Sequence, residues 1–74
     1  MPEQLSAAVA AEVRRLLEER SWSGRELSRR TGIAQGTLAD KLAGRSSFTL
    51  DDLAAICTVL DVDVTDLLTW ARKR

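Results

Sequence analysis

Few side chains in this 74-residue chain could carry out a chemical reaction. The chain has no histidine and a single cysteine, Cys57, so an internal disulfide and a Cys/His zinc site are both excluded. The neighbouring carboxylates Asp51 and Asp52 could serve acid–base chemistry, but their place at a predicted helix start explains them as capping residues. An enzyme is therefore the weakest function class, and we expect no cofactor and no metal.

The charges are balanced overall but unevenly distributed along the chain. There are 11 cations and 11 anions, which gives a formal net charge of zero. Residues 14–45 carry eight cations and four anions, whereas residues 46–66 carry five aspartates and no cation. This polarity suits a protein that turns one face to a polyanion, and a chance imbalance on a solvated surface explains it equally well.

The length predicts one domain, residues 1–74, with one small core. No apolar run reaches membrane-spanning length. The alanine-rich segment near the start is interrupted by Glu12, Arg14 and Arg15, so it is not a signal peptide. We therefore expect a cytoplasmic location.

Helical periodicity runs through the chain, and no alternating strand pattern is present. Apolar residues spaced by three and four predict a first helix from about Leu5 to Arg20. Ser23 and Glu26 predict a reciprocal capping box at the start of a second helix, over about residues 24–31, and Gly32 ends that helix. Trp22 and Leu27 occupy the positions of a hydrophobic staple, so we expect Trp22 in the core.

A third helix follows after only about three residues, which is the spacing of a helix-turn-helix. It begins at Ala34 or Gln35, keeps Leu38 and Leu42 inward, and ends at Gly44.

Two further short helices complete an all-α, five-helix prediction. Phe48 and Leu50 are expected to return to the core, and Thr49 caps the fourth helix in a second capping box with Asp52. Asp63 is expected to cap the last helix. The inward residues of the fourth helix are predicted to be Leu53, Ile56, Cys57 and Leu60, which makes Cys57 a buried, inert thiol.

The stretch "WSGRELSRRTGIAQGTLADKLAGR", continued by "FTLDDLAAICTVLDVDVTDLL", resembles the lambda-repressor-like, Cro/CI (XRE-type) helix-turn-helix family. The resemblance covers about Val9 to Leu68, and it rests on the order of several individually weak motifs. It implies a compact five-helix DNA-binding domain and a sequence-specific transcriptional regulator of the phage or bacterial repressor type. The third helix, about residues 35–43, would enter the major groove of an operator. The location implied is a bacterial cytoplasm or nucleoid, including that of a phage-infected host.

The resemblance also implies two sets of DNA contacts, one to base edges and one to phosphates. The base-reading positions are Gln35, Gly36, Thr37, Asp40 and Lys41. The phosphate-contacting positions are Ser23, Gly24, Arg25, Arg45, Ser46 and Ser47.

Each reading position has more than one interpretation. Gln35 can hold adenine through N6 and N7, and the alternative is an ordinary solvated residue. Thr37 suits a thymine methyl or a phosphate, and equally a helix start. Asp40 can accept from cytosine N4, repel wrong sequences, or pair with Arg45 or Lys41, and we favour the intramolecular pair.

Gly36 is unusual because a helix-interior glycine costs roughly 1 kcal/mol relative to alanine. One explanation is a close approach of the helix backbone to DNA, and the other is a tolerated defect.

Three positions depart from the family pattern. The family often has glutamine at the position of Gly24, a small alanine at Ser28 and an apolar residue at Lys41. The last departure shifts the second inward residue to Leu42, and it leaves open whether Asp40 or Lys41 reads bases.

Partners other than operator DNA are also considered. A homodimer through the last helix, around Leu67 and Trp70, fits the family, although Trp70 can instead cover the first helix. The alternative function is an antitoxin-like or adaptor protein-interaction module on the same fold, which zero net charge, Gly24 and Asp40 favour. No small-molecule ligand is expected.

Overall fold

Five α-helices and no strand make up residues 2–73, the part of the chain that the computed structural model describes, with side chains described over 5–73. Met1 and Arg74 lie outside this range. The helices are α1 (Pro2–Arg20), α2 (Gly24–Thr31), α3 (Gln35–Leu42), α4 (Leu50–Leu60) and α5 (Val64–Lys73). The all-α, five-helix prediction is confirmed. α1 begins at Pro2, three residues before the predicted start, and proline suits the first helical position because its missing N–H would have no partner there.

Polar side chains begin α2, α4 and α5 as the sequence predicts, with one difference. The Ser23 Oγ accepts the Glu26 N–H at 3.1 Å, but the reciprocal half of the capping box at α2 is wrong. The Glu26 carboxylate instead accepts from Arg29 and Arg30, each at 2.5 Å, because two guanidinium groups one turn ahead outcompete a single amide. At α4 the box between Thr49 and Asp52 is complete.

The α5 cap is also confirmed. The Asp63 Oδ1 accepts the Thr65 N–H at 2.7 Å.

The buried apolar residues come from all five helices and form one core cluster. Trp22 and Phe48 are half-buried against this cluster, and Cys57 is buried, as predicted. The prediction that Leu50 enters the core is wrong, since its side chain is 79% exposed. As the first residue of α4, Leu50 lines an open groove with Leu5 of α1, and no other element among the described side chains covers it.

The turn between α2 and α3 is held by two hydroxyl groups. The Ser28 Oγ donates to the Ile33 carbonyl at 2.5 Å, and the Thr31 Oγ1 accepts the Ile33 N–H at 3.2 Å. Gly32 supplies the left-handed residue of the turn, with φ = 81°. Ser28, where the family often has alanine, thus satisfies a backbone group of the helix-turn-helix.

α1 and α5 pack together around a charged group. Glu12 is buried and paired with Arg15, at 2.9 Å between Oε1 and Nη2. The Arg15 guanidinium carbon lies 6.0 Å from the centroid of the Trp70 ring, so Trp70 covers α1. No helix within residues 2–73 has the length and apolar character needed to cross a membrane.

Candidate nucleic-acid interface

α3 presents an open polar face that points away from the core. Leu38 is buried, whereas Gln35, Gly36, Thr37 and Asp40 are exposed. Two residues turn a helix by about 200°, so Gly36 and Asp40, two residues to either side of Leu38, lie nearly opposite it. These two positions therefore form the most outward line of α3.

Nothing in the fold requires a glycine at position 36. A Cβ built there meets no atom within 4 Å, and Gly36 is not among the residues with positive φ. The fold thus tolerates a larger residue at this point, and the glycine leaves the outward line of α3 without a side chain.

A notch joins the start of α2 to α3. It has a volume of about 300 Å³ and brings Ser23, Gly24 and Arg25 of the α2 start beside Gln35 of α3. A Cβ at Gly24 would touch the Leu42 Cδ1 at 3.7 Å, an ordinary contact, so the absence of a side chain opens this notch without being sterically required.

Arg25 differs from the other cations of residues 14–45. In the described part of the chain it has no ion pair and donates no side-chain hydrogen bond, and its side chain is exposed beside Gln35. The other cations are committed to intramolecular partners: Arg14 to the Leu42 carbonyl, Arg15 to Glu12 and Glu19, Arg20 to the Leu60 carbonyl, Arg29 and Arg30 to Glu26, Lys41 to Asp52, and Arg45 to Asp40.

α3 ends in a Schellman motif that carries an ion pair. The Arg45 N–H donates to the Asp40 carbonyl at 2.9 Å, and Gly44 is left-handed with φ = 84°. The Arg45 Nε also donates to the Asp40 Oδ1 at 3.1 Å. Both side chains remain exposed, at 54% for Asp40 and 68% for Arg45. The favoured prediction that Asp40 makes an intramolecular pair is confirmed, with Arg45 as its partner.

Lys41 has a different position from the other proposed base readers. Its ammonium is paired with the Asp52 carboxylate of α4, and only 12% of its side chain is exposed. The Lys41 hydrogen bond, followed by those from Thr49, lowers the pKa of Asp52 despite partial burial. The position where the family often has an apolar residue is thus inward here also, with a half-buried ion pair in place of an apolar contact.

The residues after α3 divide between two surfaces. Arg45 is held to the end of α3, and Ser46 is exposed. Ser47 lines a groove of about 340 Å³ with apolar residues of α1, α4 and α5, including Leu5 and Leu50.

Sequence reasoning did not identify Ala39, Arg14 or Asp52 as parts of this region. Ala39 is exposed on α3 and lines the notch, Arg14 holds the last carbonyl of α3, and Asp52 anchors Lys41. The capping pattern gave a signal for Asp52, whereas a contact across 28 residues, such as that of Arg14, has no local signal.

Comparisons with known proteins agree with this geometry. A family model described as a Cro/C1-type HTH DNA-binding domain matches residues 12–73. Two crystal structures of the clp gene regulator ClgR from Corynebacterium glutamicum are similar at 28% identity, with TM-scores of 0.86 and 0.85. The matches cover 93% of this chain and 73% and 90% of those chains. No curated protein matches the sequence.

Proposed function

The chain belongs to the Cro/C1-type helix-turn-helix DNA-binding family, and on that premise we propose that it represses transcription by occupying a specific double-stranded operator. The family match and the structural likeness to a gene regulator together support a DNA-binding transcription regulator. The observation that carries the proposal is the outward face of α3, which the fold leaves polar, exposed and open at Gly36.

In the proposed complex α3 lies in the major groove. Gln35 holds a base edge, with adenine as the best match to its planar donor and acceptor pair. Thr37 contacts a thymine methyl or a phosphate, and Gly36 lets the helix backbone approach the DNA. Asp40 lies on the same outward line, whereas the burial of Lys41 against Asp52 argues for a structural role at that position.

The phosphate contacts in this proposal flank α3 on both sides. Ser23, Gly24 and Arg25 are on one side, where the notch brings the α2 start beside Gln35. Arg45 and Ser46 are on the other, just past the end of α3, whereas Ser47 also lines the groove beside α1 and α4. Arg25 is the best-supported phosphate ligand because its exposed guanidinium is not committed to any described residue.

Duplex binding at two salt concentrations tests the proposal. Fluorescence anisotropy with random and selected duplexes, at about 50 and 200 mM salt, should show affinity that falls as salt rises. Gln35→Ala should lose about 1–3 kcal/mol at one base pair, whereas Arg25→Ala should weaken all sequences alike and reduce the salt slope by about 1. Arg72→Ala is the matched control, because it removes the same charge from α5. Absence of binding to every duplex at low salt contradicts the proposal.

Dimerisation through α5 can use only part of the predicted contact. Leu67 is 1% exposed and belongs to the core, so the prediction that it lies at a dimer surface is wrong. Trp70 is half-buried against α1, and its exposed part remains available. If two copies bind together, the operator should contain half-sites about 10 bp apart, which sedimentation with DNA and operator selection will show.

One observation favours a second candidate, an antitoxin-like or adaptor protein-interaction module. The groove between α1 and α4 contains the exposed apolar side chains Leu5 and Leu50, and apolar surface of this kind is typical of protein contacts. This candidate gains support if the duplex experiment shows no binding.

A further inference from the structure

Asp40 and Arg45 form a charged pair at the end of the outward line of α3. We propose that this pair acts as one specificity-determining unit. Asp40 accepts a hydrogen bond from the exocyclic amino group of a base in the major groove, and Arg45, still bound to Asp40, holds an adjacent phosphate. The inference rests on the proposed function and names the base chemistry that one position of the operator must present.

The position of Asp40 carries the first step. It lies nearly opposite the buried Leu38 and one helical turn after Gly36. Because Gly36 has no side chain, position 36 on the preceding turn places no side chain between the Asp40 carboxylate and a base edge in front of α3.

The chemistry of the carboxylate carries the second step. An ionised carboxylate only accepts hydrogen bonds. In the major groove the matching donors are N4 of cytosine and N6 of adenine, whereas O4 of thymine and O6 of guanine are acceptors and repel it. Asp40 therefore favours an amino group and rejects a keto group at the strand position that it faces.

The partner of Asp40 carries the third step. A carboxylate beside phosphates is repelled unless its charge is compensated, and Arg45 compensates it. The pair uses only the Arg45 Nε, so four further N–H donors on Nη1 and Nη2 can reach a phosphate. The backbone bond from the Arg45 N–H to the Asp40 carbonyl holds the two residues in this relation.

The ion pair between Asp40 and Arg45 contributes little to the stability of the fold. Both side chains are more than half exposed, and exposed pairs contribute little to stability. The Schellman motif already ends α3 through backbone hydrogen bonds and the left-handed Gly44. A role at the DNA surface gives the pair a function that the isolated domain lacks.

Operator selection followed by a base-substitution panel tests this inference on the full chain. Duplexes are selected from a random pool with the wild-type protein, and dissociation constants are then measured with all four bases at each position. At one position the wild type should prefer an amino-bearing base over a keto base by roughly 5- to 150-fold. The panel itself distinguishes cytosine from adenine as the source of the amino group.

Asp40→Asn should remove this preference at that position only, because an amide both donates and accepts. Asp40→Ala is a second variant that removes the acceptor, and unfolding curves check that both variants fold. Asp66→Asn on α5 makes the same charge change elsewhere and should leave the base profile unaltered. Arg45→Gln should weaken binding to all sequences and also reduce the preference at the Asp40 position.

Two results overturn the inference alone. One is a wild-type base profile that Asp40→Asn and Asp40→Ala leave intact at every position. The other is an equal rise in affinity in Asp40→Asn and Asp66→Asn with no change in profile, which reduces Asp40 to bulk charge. A wild-type protein that binds no duplex instead overturns the proposed function, and the inference with it.

Discussion

Lys41 of α3 and Asp52 of α4 form an ion pair in which the side chains are only 12% and 17% exposed. The same Asp52 carboxylate accepts the Thr49 N–H at 3.0 Å, which completes the capping box of α4. One side chain therefore joins the start of α4 to the helix that presents the candidate DNA-binding face. The ionised Asp52 carboxylate is the form that pairs with the Lys41 ammonium.

We expect Asp52→Asn to lower the free energy of unfolding by about 1–3 kcal/mol at neutral pH, because Lys41 then loses its charged partner. The pKa of Asp52 is lowered in the folded protein, chiefly by Lys41. The stability that Asp52 confers is therefore fully present above its unfolded pKa, about 4, and is lost as pH falls through the lower folded pKa.

Urea unfolding between neutral pH and about pH 2 measures both effects. The wild-type and Asp52→Asn curves should converge in acid. Asp51→Asn, an exposed neighbour in the same turn, should change stability by less than about 0.5 kcal/mol and keep the wild-type pH dependence. Parallel wild-type and Asp52→Asn curves across this range contradict the interpretation.

The two contacts of Asp52 also show what the sequence can and cannot predict. Its cap with Thr49 was predicted because the two residues are three apart, and local spacing alone determines that contact. Its pairing with Lys41, 11 residues away, depends on how α3 packs on α4, which no local pattern contains. The same limit explains the error at Leu50. The sequence shows that this residue is apolar, but it does not show that the folded domain leaves its side chain exposed.

The candidate site likewise contains features that the sequence predicts and features that it does not. The family resemblance implied Gln35, Gly36, Thr37, Asp40 and Lys41 as base-reading positions. The structure exposes the first four on α3 and turns Lys41 inward against Asp52. The second capping contact of Glu26 was wrong because two competing guanidinium groups lie ahead of it in the helix. Arg29 and Arg30 lie three and four residues after Glu26, so several local contacts compete for one carboxylate, and spacing alone does not rank them.

Leu53→Ala should lower the free energy of unfolding by about 2–5 kcal/mol, because Leu53 is buried in the core and its truncation leaves a cavity. Leu50→Ala, the same chemical change three residues earlier on α4, should cost less than about 0.5 kcal/mol. Chemical denaturation of both variants measures the difference. A loss at Leu50 comparable to that at Leu53 would mean that the exposed leucine is covered in solution, for instance by a second copy.

Ser28→Ala should destabilise the domain by about 0.5–1.5 kcal/mol, because it removes the bond from Ser28 Oγ to the Ile33 carbonyl in the turn between α2 and α3. Thr58→Ala is the matched control, since the Thr58 hydroxyl donates to the Ala54 carbonyl on the exposed side of α4. Hydrogen exchange should show faster exchange around the turn in Ser28→Ala alone. Unchanged exchange there contradicts a bracing role for the hydroxyl.

Gly36→Ala should raise the free energy of unfolding by about 1 kcal/mol, because an added Cβ meets open space on a helix with ordinary φ. The same methyl group should weaken binding to the selected duplex by about 1–3 kcal/mol, the usual cost of overfilling a close-packed contact. Gly44→Ala is the control with the opposite sign for stability. Its φ of 84° strains any side chain, so it should lose stability.

Denaturation and duplex titration of the same Gly36→Ala preparation separate the two explanations of this glycine. If Gly36→Ala is more stable but binds more weakly, the wild-type glycine gives up helix stability for a close approach to DNA. If Gly36→Ala is more stable and binds as tightly as the wild type, the wild-type glycine is only a tolerated defect. In that case the distance between α3 and the duplex is greater than the open face of α3 suggests, and base recognition depends on the longer side chains Gln35 and Asp40.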